Sequence, residues 1–163
     1  NDITGLADPA MRRVCAEHPC GVVLMHMQGS PETMQHAPHY DDVAAEVRAF
    51  FEQRVAQAVA DGIALSRICL DPGIGFGKTT EHNLALIRHL SALRVANRPL
   101  LMALSRKRFL GDILKNPELA KNSPLPTVSM SLLAAQNGAN LHRVHDVAPL
   151  HQALTLLHSL NNS

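Results

Sequence analysis

The sequence predicts an α/β fold, a parallel sheet with helical crossovers, and three observations predict it. Short apolar runs alternate four times with longer amphipathic stretches, the pattern of strand–helix units in series. The runs are apolar on both faces, as parallel strands covered on both sides must be. Each run ends, at its C-terminal side, in side chains able to bind or react. That is the working face of a (β/α) barrel. A doubly wound open sheet follows a similar rule at its switch point, so placement alone leaves both open.

Gly21 to His26 is the first expected strand, followed by a Pro-, Gly- and Ser-rich loop from Gln28 to about Tyr40. Asp41 or Asp42 is expected to cap a long helix with Val43, Val47, Phe50, Phe51, Val55 and Val59 as its apolar positions, stopped by Gly62. Arg67 to Asp71 is the second strand, entering a glycine-rich loop from Pro72 to Lys78. Thr80 is expected to cap a helix carrying Leu84, Ile87 and Leu90. Pro99 to Leu104 is the third strand, ending at Ser105-Arg106-Lys107, with a helix near Phe109–Leu114 behind it. A loop holds Pro117, Pro124 and Pro126, and a helix runs from about Thr127 to Asn137. Asn140 to His145 is the fourth strand, and a helix from about Pro149 to Leu160 closes the chain.

Composition narrows the function. The 163 residues fit one domain, 1–163, with 46% hydrophobic and 18% charged residues, so a buried core is within reach. Fifteen basic against fourteen acidic side chains give a net charge of +1, no footprint for nucleic acid. Aromatics are 3% with no Trp, which argues against a base-stacking platform. Cys15, Cys20 and Cys69 are too irregularly spaced for zinc and cannot all pair. Free thiols in a reducing cytosol are expected. No apolar run approaches the roughly 18 residues that span a bilayer, and no signal peptide is visible. The chain begins with Asn1, and Asn1-Asp2 reads as the end of an element, so a partial chain is expected.

The chemistry gathers at the strand ends: Met25 and His26, Asp71, Ser105 to Lys107, then Arg143 and His145. Arg143 and His145 stand two apart and so point to one side; both can donate to phosphate oxygens. A satisfied histidine beside a solvated arginine competes evenly with that reading. Asp71 to Thr79 invites two nucleotide readings, and each fails by one residue. A P-loop needs glycine where Pro72 stands, and a dinucleotide fingerprint needs glycine where Lys78 stands. What remains is a carboxylate beside a backbone able to approach a flat ligand closely. Ser105-Arg106-Lys107-Arg108 is a cationic cluster that suits an anion or a solvated face equally. His36 and His39 read as surface loop histidines, and His142 has no assigned role.

Together these residues resemble a known family. Asn1 to Leu6, Leu24 to Pro31, Leu70 to Lys78, Ser105 to Lys107 and Arg143 to Val147 resemble dihydropteroate synthase, in that family's order and at its approximate spacing. The resemblance implies the condensation of 6-hydroxymethyl-7,8-dihydropterin diphosphate with p-aminobenzoate, giving 7,8-dihydropteroate and diphosphate. It implies pterin-binding roles for Asn1, Met25, Asp71, Phe76 and Lys107. Phe76 and Ser105 border the p-aminobenzoate side, and Arg143 and His145 take the diphosphate. Lys107, Arg143 and His145 are the implied catalytic groups. A departure from the family is Pro126-Thr127, where a glycine usually precedes the small hydroxyl residue.

The resemblance also implies a (β/α)8 barrel of which this chain supplies about the C-terminal half, strands five to eight with their helices. It implies Mg²⁺ whose protein ligand lies outside this chain, with no metal ligand within it, a cytoplasmic location and a homodimer of the full-length protein. An open half-barrel would expose an apolar face and two strand edges. The isolated chain is therefore expected to be poorly soluble and to have little activity. Two rival readings remain: a folate–corrinoid methyltransferase with a pterin-binding barrel, which has no use for a diphosphate site, and a truncated, inactive relative.

Overall fold

The computed structural model describes residues 1–161. Among these residues seven helices and four short strands follow one another: α1 (Pro9–Glu17), β1 (Val22–Met25), α2 (Val43–Ala60), β2 (Ile68–Asp71), α3 (Thr80–Arg88), β3 (Leu101–Met102), α4 (Arg108–Leu114), α5 (Pro117–Asn122), α6 (Leu125–Gln136), β4 (Leu141–His142) and α7 (Val147–Asn161). Short 3-10 turns at Leu65–Arg67 and Leu90–Leu93 lead toward β2 and β3.

All the strand pairs are parallel. β1 runs beside β2 with Val22 opposite Ile68 and Met25 opposite Asp71; β3 runs beside β4 with Leu101 opposite Leu141. A bridge between Leu70 and Leu100 joins the two pairs, and another places Asp2 beside Leu24. Neighbours in space are therefore neighbours in sequence, with no reversal of order among the described strands. A doubly wound sheet would place such a reversal at its binding crevice.

Alternation along the strands separates two faces. Val22, Leu24, Ile68, Leu70, Leu100 and Met102 are buried, under helices that supply Phe51 and Leu86 and a 3-10 turn that supplies Leu90 and Leu93 to the same core. The opposite face carries Val23, Cys69 and Leu101, all half-buried, and the exposed Leu141.

α2 starts where the sequence places it. Asp42 caps it by accepting from Ala44 N at 2.9 Å and Ala45 N at 3.0 Å, while Glu46 reaches back to the Asp41 and Asp42 N–H groups. Asp42→Ala is expected to destabilise the protein by about 1 kcal/mol, the usual worth of an N-cap; urea unfolding measures it. On this helix Val59 is exposed and Ala58 takes the buried position instead.

Several elements differ from the expectation. Helix α1 goes beyond the expectation: no residue of it is fully buried, and its inward face is the partly buried Arg12, Cys15 and Ala16, with no large apolar side chain to mark it. Asp8 caps it, Pro9 opens it, and Arg12 anchors it to Leu6 O, Ala7 O and Asp61. The segment expected as a loop around Pro117 contains α5, because proline at the first helical position forfeits no hydrogen bond. For the same reason α6 starts at Leu125, ahead of Pro126. Thr79, not Thr80, caps α3, in a reciprocal pair with His82. Leu90 falls in the 3-10 turn beyond that helix. β3 and β4 keep two residues each rather than six, so Arg143 and His145 lie just past the end of β4.

Candidate functional site

The site begins at the adjacent tips of β1 and β2. Met25 and Asp71 are register partners, both buried, and His26 N donates to Asp71 O at 2.9 Å to close the pair. Asp71 is 2% exposed, and its Oδ1 accepts from Gly73 N at 2.8 Å. Burial pushes its pKa up to about 6, opposed by the Gly73 N–H, then Lys107, then Lys78.

Pro72 to Lys78 wraps back against the chain after β1. Gly73, Gly75 and Gly77 all have φ between 59° and 80°. A Cβ at Gly73 would stand 1.8 Å from His26 O, and one at Gly77 2.7 Å from Gln28 O. Side chains the sequence did not single out clamp this loop. Asn83 Oδ1 accepts from Gly75 N at 2.9 Å, Gln35 donates to Gly75 O at 2.8 Å, and Tyr40 OH donates to Gly77 O at 2.8 Å.

Lys107, at the start of α4, crosses the loop from the other side. Its ammonium lies 4.3 Å from the centre of the Phe76 ring, a cation–π distance, and a Cβ at Gly75 would touch its stem at 3.2 Å. Partial burial lowers its pKa, Asp71 raises it and Arg143 lowers it again. Lys107 therefore feels both the carboxylate of β2 and the guanidinium beyond β4. Arg143 and His145 are exposed while Val144 between them is half-buried, so the two share a side. Ser105 is buried, and its Oγ lies 2.8 Å from His145 Nδ1 and accepts from His145 N at 3.2 Å. The third and fourth strand tips are joined through that hydroxyl. Arg106 adopts φ 58°, held by its N–H on Thr127 Oγ1 and by an ion pair with Asp146.

Asp71, Phe76, Lys107, Ser105, Arg143 and His145 are thus brought onto one end of the sheet, with Met25 beside the carboxylate. Asn1 is exposed, next to the Asp2 that pairs with Leu24, and no hydrogen bond ties it to the others among the described residues. A cavity of about 560 Å³ adjoins the site between Gly75, Lys78, Lys107, Arg108 and Asn83. Asp71 and Arg143 are not among its walls, so it flanks the carboxylate instead of containing it.

One charged site residue escaped the sequence reading. Lys78 served there only to reject a dinucleotide motif, yet its ammonium is buried, 2.9 Å from both His26 Nδ1 and Phe76 O. Burial lowers its pKa to about 7 against the pull of Asp71. Burial and then Lys78 lower that of His26 to about 3, so His26 is neutral and accepts. The available signal was a lone cation closing a run of glycines and apolar residues. Chemically the ensemble offers a water-poor carboxylate acceptor at one end and two exposed donors for an anion at the other.

Known proteins resemble this chain in sequence and in fold. The family model for pterin binding enzymes matches residues 1–145. The dihydropteroate synthase of Escherichia coli K12 is 41% identical over 157 residues, which are 96% of this chain and 55% of that protein. The Xanthomonas albilineans dihydropteroate synthase in complex with 7,8-dihydropteroate superposes with a TM-score of 0.91 at 42% identity, over 100% of this chain and 60% of that one. The Yersinia pestis dihydropteroate synthase with a sulfonamide drug complex gives 0.93 at 38% identity, over 100% and 58%. The chain spans a little over half the length of these relatives. With its α/β fold and a family match over nearly nine-tenths of its length, this chain belongs to the pterin-binding enzyme family.

Proposed function

We propose that the protein containing this chain is a dihydropteroate synthase, and that the chain forms strands five to eight of its (β/α) barrel. One observation carries the reading: Lys107 interacts electrostatically with both a buried carboxylate, Asp71, and an exposed Arg143 that shares a side with His145. That combination of charges suits a flat, guanidine-like heterocycle with an anionic tail. The consecutive order of the parallel strands favours an arc of barrel over an open sheet.

In this reading the ring N–H and exocyclic amine of the pterin donate two parallel hydrogen bonds to Asp71. Asn1, Met25 and Phe76 line the ring, and Lys107 faces its carbonyl side. The C–O bond to diphosphate breaks first, leaving a pterin methylene cation, and the amine of p-aminobenzoate attacks it past Phe76. Arg143 and His145 hold the departing diphosphate, whose charge grows as the bond breaks, so their contribution is greatest in the transition state. Ser105 keeps His145 turned toward that end. The Mg²⁺ that the resemblance implies has its protein ligand outside this chain. Among the described residues no three His, Cys, Asp or Glu side chains gather where they could hold an ion, and no step is routed through one. Exposed Leu125, Leu133 and Leu156 on α6 and α7 fit the homodimer expected of the family. No described helix is long and apolar enough to cross a membrane.

The test uses the full-length protein, assayed for dihydropteroate formation from the pterin diphosphate and p-aminobenzoate. Turnover inhibited by a sulfonamide in competition with p-aminobenzoate is expected; its absence overturns the reading. Arg143→Ala is expected to lower kcat roughly 10- to 100-fold, the loss of a charge-assisted partner worth about 1.5–3 kcal/mol. The methyltransferase alternative predicts indifference to that change.

A further inference from the structure

We propose that Lys78, gripped by His26, is a positioning residue that keeps Asp71 ionised and therefore able to accept the two N–H groups of the pterin edge; the inference rests on the synthase reading above. A pterin presents donors at that edge, and a protonated carboxyl would set a third donor against them. Asp71 is almost wholly removed from water, where an unpaired carboxylate takes up a proton. Something nearby must hold it charged.

Three groups oppose that protonation: the Gly73 N–H, Lys107 and Lys78. The peptide N–H carries no charge. Lys107 is only partly buried, lies over Phe76 and is the group assigned to the ligand's carbonyl side. Lys78 differs from it in burial and in partners. It is 4% exposed and is assigned no contact with the pterin. Its ammonium donates to two neutral acceptors, His26 Nδ1 and Phe76 O, each at 2.9 Å, and lies 6.0 Å from the centre of the Tyr40 ring. A Cβ at Gly73 would lie 3.5 Å from that ammonium, so Lys78 stands directly behind the residue whose N–H binds Asp71.

The elements around the carboxylate bring these titratable groups to its neighbourhood. The end of β1 gives His26, the start of α4 gives Lys107, and the segment past β4 gives Arg143, which acts on Lys107. The segment before α2 gives Tyr40, whose hydroxyl binds Gly77 O. Asp71 is the anion that acts on Lys78, and Lys107 is a cation that repels it. Two neutral hydrogen-bond acceptors fix where the ammonium sits, and the carboxylate supplies its countercharge. His26 serves both ends: its backbone N–H holds Asp71 O at 2.9 Å and its ring holds Lys78. A charged imidazole would confront the ammonium, so the pair works only while His26 is neutral.

Removing the charge with Lys78→Met in the full-length protein tests this. Without the buried ammonium, Asp71 takes up its proton at a higher pH. The acid limb of kcat/KM for the pterin diphosphate is then expected to move up by about half a pH unit or more. Near pH 7, KM for the pterin diphosphate should rise by up to about twofold, and more steeply below pH 6, while KM for p-aminobenzoate is unchanged. Raising the pH to about 8.5 should restore most of the loss, because Asp71 ionises there unaided. An active variant with an unmoved acid limb, or a loss that pH does not restore, overturns the inference. A wild-type enzyme without turnover sinks the synthase reading instead, and the two failures are told apart by that control. If Lys78→Met does not fold by circular dichroism, lysine ¹⁵N and carboxyl ¹³C NMR of the wild-type protein decide. Lys78 is expected to remain protonated as Asp71 loses its proton; a Lys78 that is neutral wherever Asp71 is ionised overturns the proposal.

Discussion

Asp71→Asn in the full-length protein is expected to lower kcat/KM for the pterin diphosphate by about 10³-fold, between the limits set by two charge-assisted hydrogen bonds at roughly 1.5–3 kcal/mol each. The substitution preserves size. It leaves one acceptor oxygen and replaces the other by an amide that donates. Oδ1 is already committed to Gly73 N at 2.8 Å, so the asparagine oxygen is expected to turn there. The amide nitrogen then confronts the pterin's own N–H, in a site too dry for water to mediate. The same change removes the charge opposite Lys78 and Lys107. Lys78, whose pKa burial already lowers, then sheds its proton more readily. Loss should fall mainly on pterin affinity, since the bonds exist before the methylene carbon reacts. Steady-state kinetics with pterin binding by fluorescence separates the two. Wild-type affinity in Asp71→Asn would remove the carboxylate from the site.

How much of this was legible beforehand depends on where the information lies. β1 and β2 are read correctly to within a residue or two, because each is an unbroken apolar run closed by polar residues. The start of α2 is a local event: Asp42 bonds to backbone two and three residues away, and such a signal survives in one dimension. Asp71, Lys107, Arg143 and His145 stood out because polar groups that close apolar runs are conspicuous. Lys78 did not. Its burial comes from a contact with His26, 52 positions earlier, and a lysine after three glycines reads as solvent-facing until that contact is known. Asn83 and Tyr40, which clamp the loop, are hidden for the same reason. α1 is hard to read because its inward face is Arg12, Cys15 and Ala16, only partly buried and without a large apolar side chain. In α5 the proline that opens the helix was read as a breaker.

The glycine loop has the largest expected effect on stability. Gly73→Ala is expected to destabilise the protein by about 3–5 kcal/mol, near the upper end for a single substitution. Two costs add. The backbone there has φ 67°, a left-handed conformation that costs a residue with a Cβ roughly 1–2 kcal/mol. The new carbon would also stand 1.8 Å from His26 O, a separation no relaxation of side chains can relieve, since the obstacle is backbone. Residue 73 must therefore move away from the β1 tip. That motion strains the Gly73 N–H bond to Asp71 and the His26 N–H bond to Asp71 O, each worth about 1 kcal/mol. Gly62→Ala isolates the first cost. Its φ is 94°, but a Cβ there would meet only Ala16 Cβ at 3.7 Å, an ordinary contact, so about 1–2 kcal/mol is expected. Urea unfolding of both variants compares them directly. Equal losses would mean that backbone strain alone matters and that β1 does not crowd the loop. A Gly73→Ala variant that loses several times more, together with its pterin affinity, would show that the close approach of these two backbones is what holds the carboxylate in place.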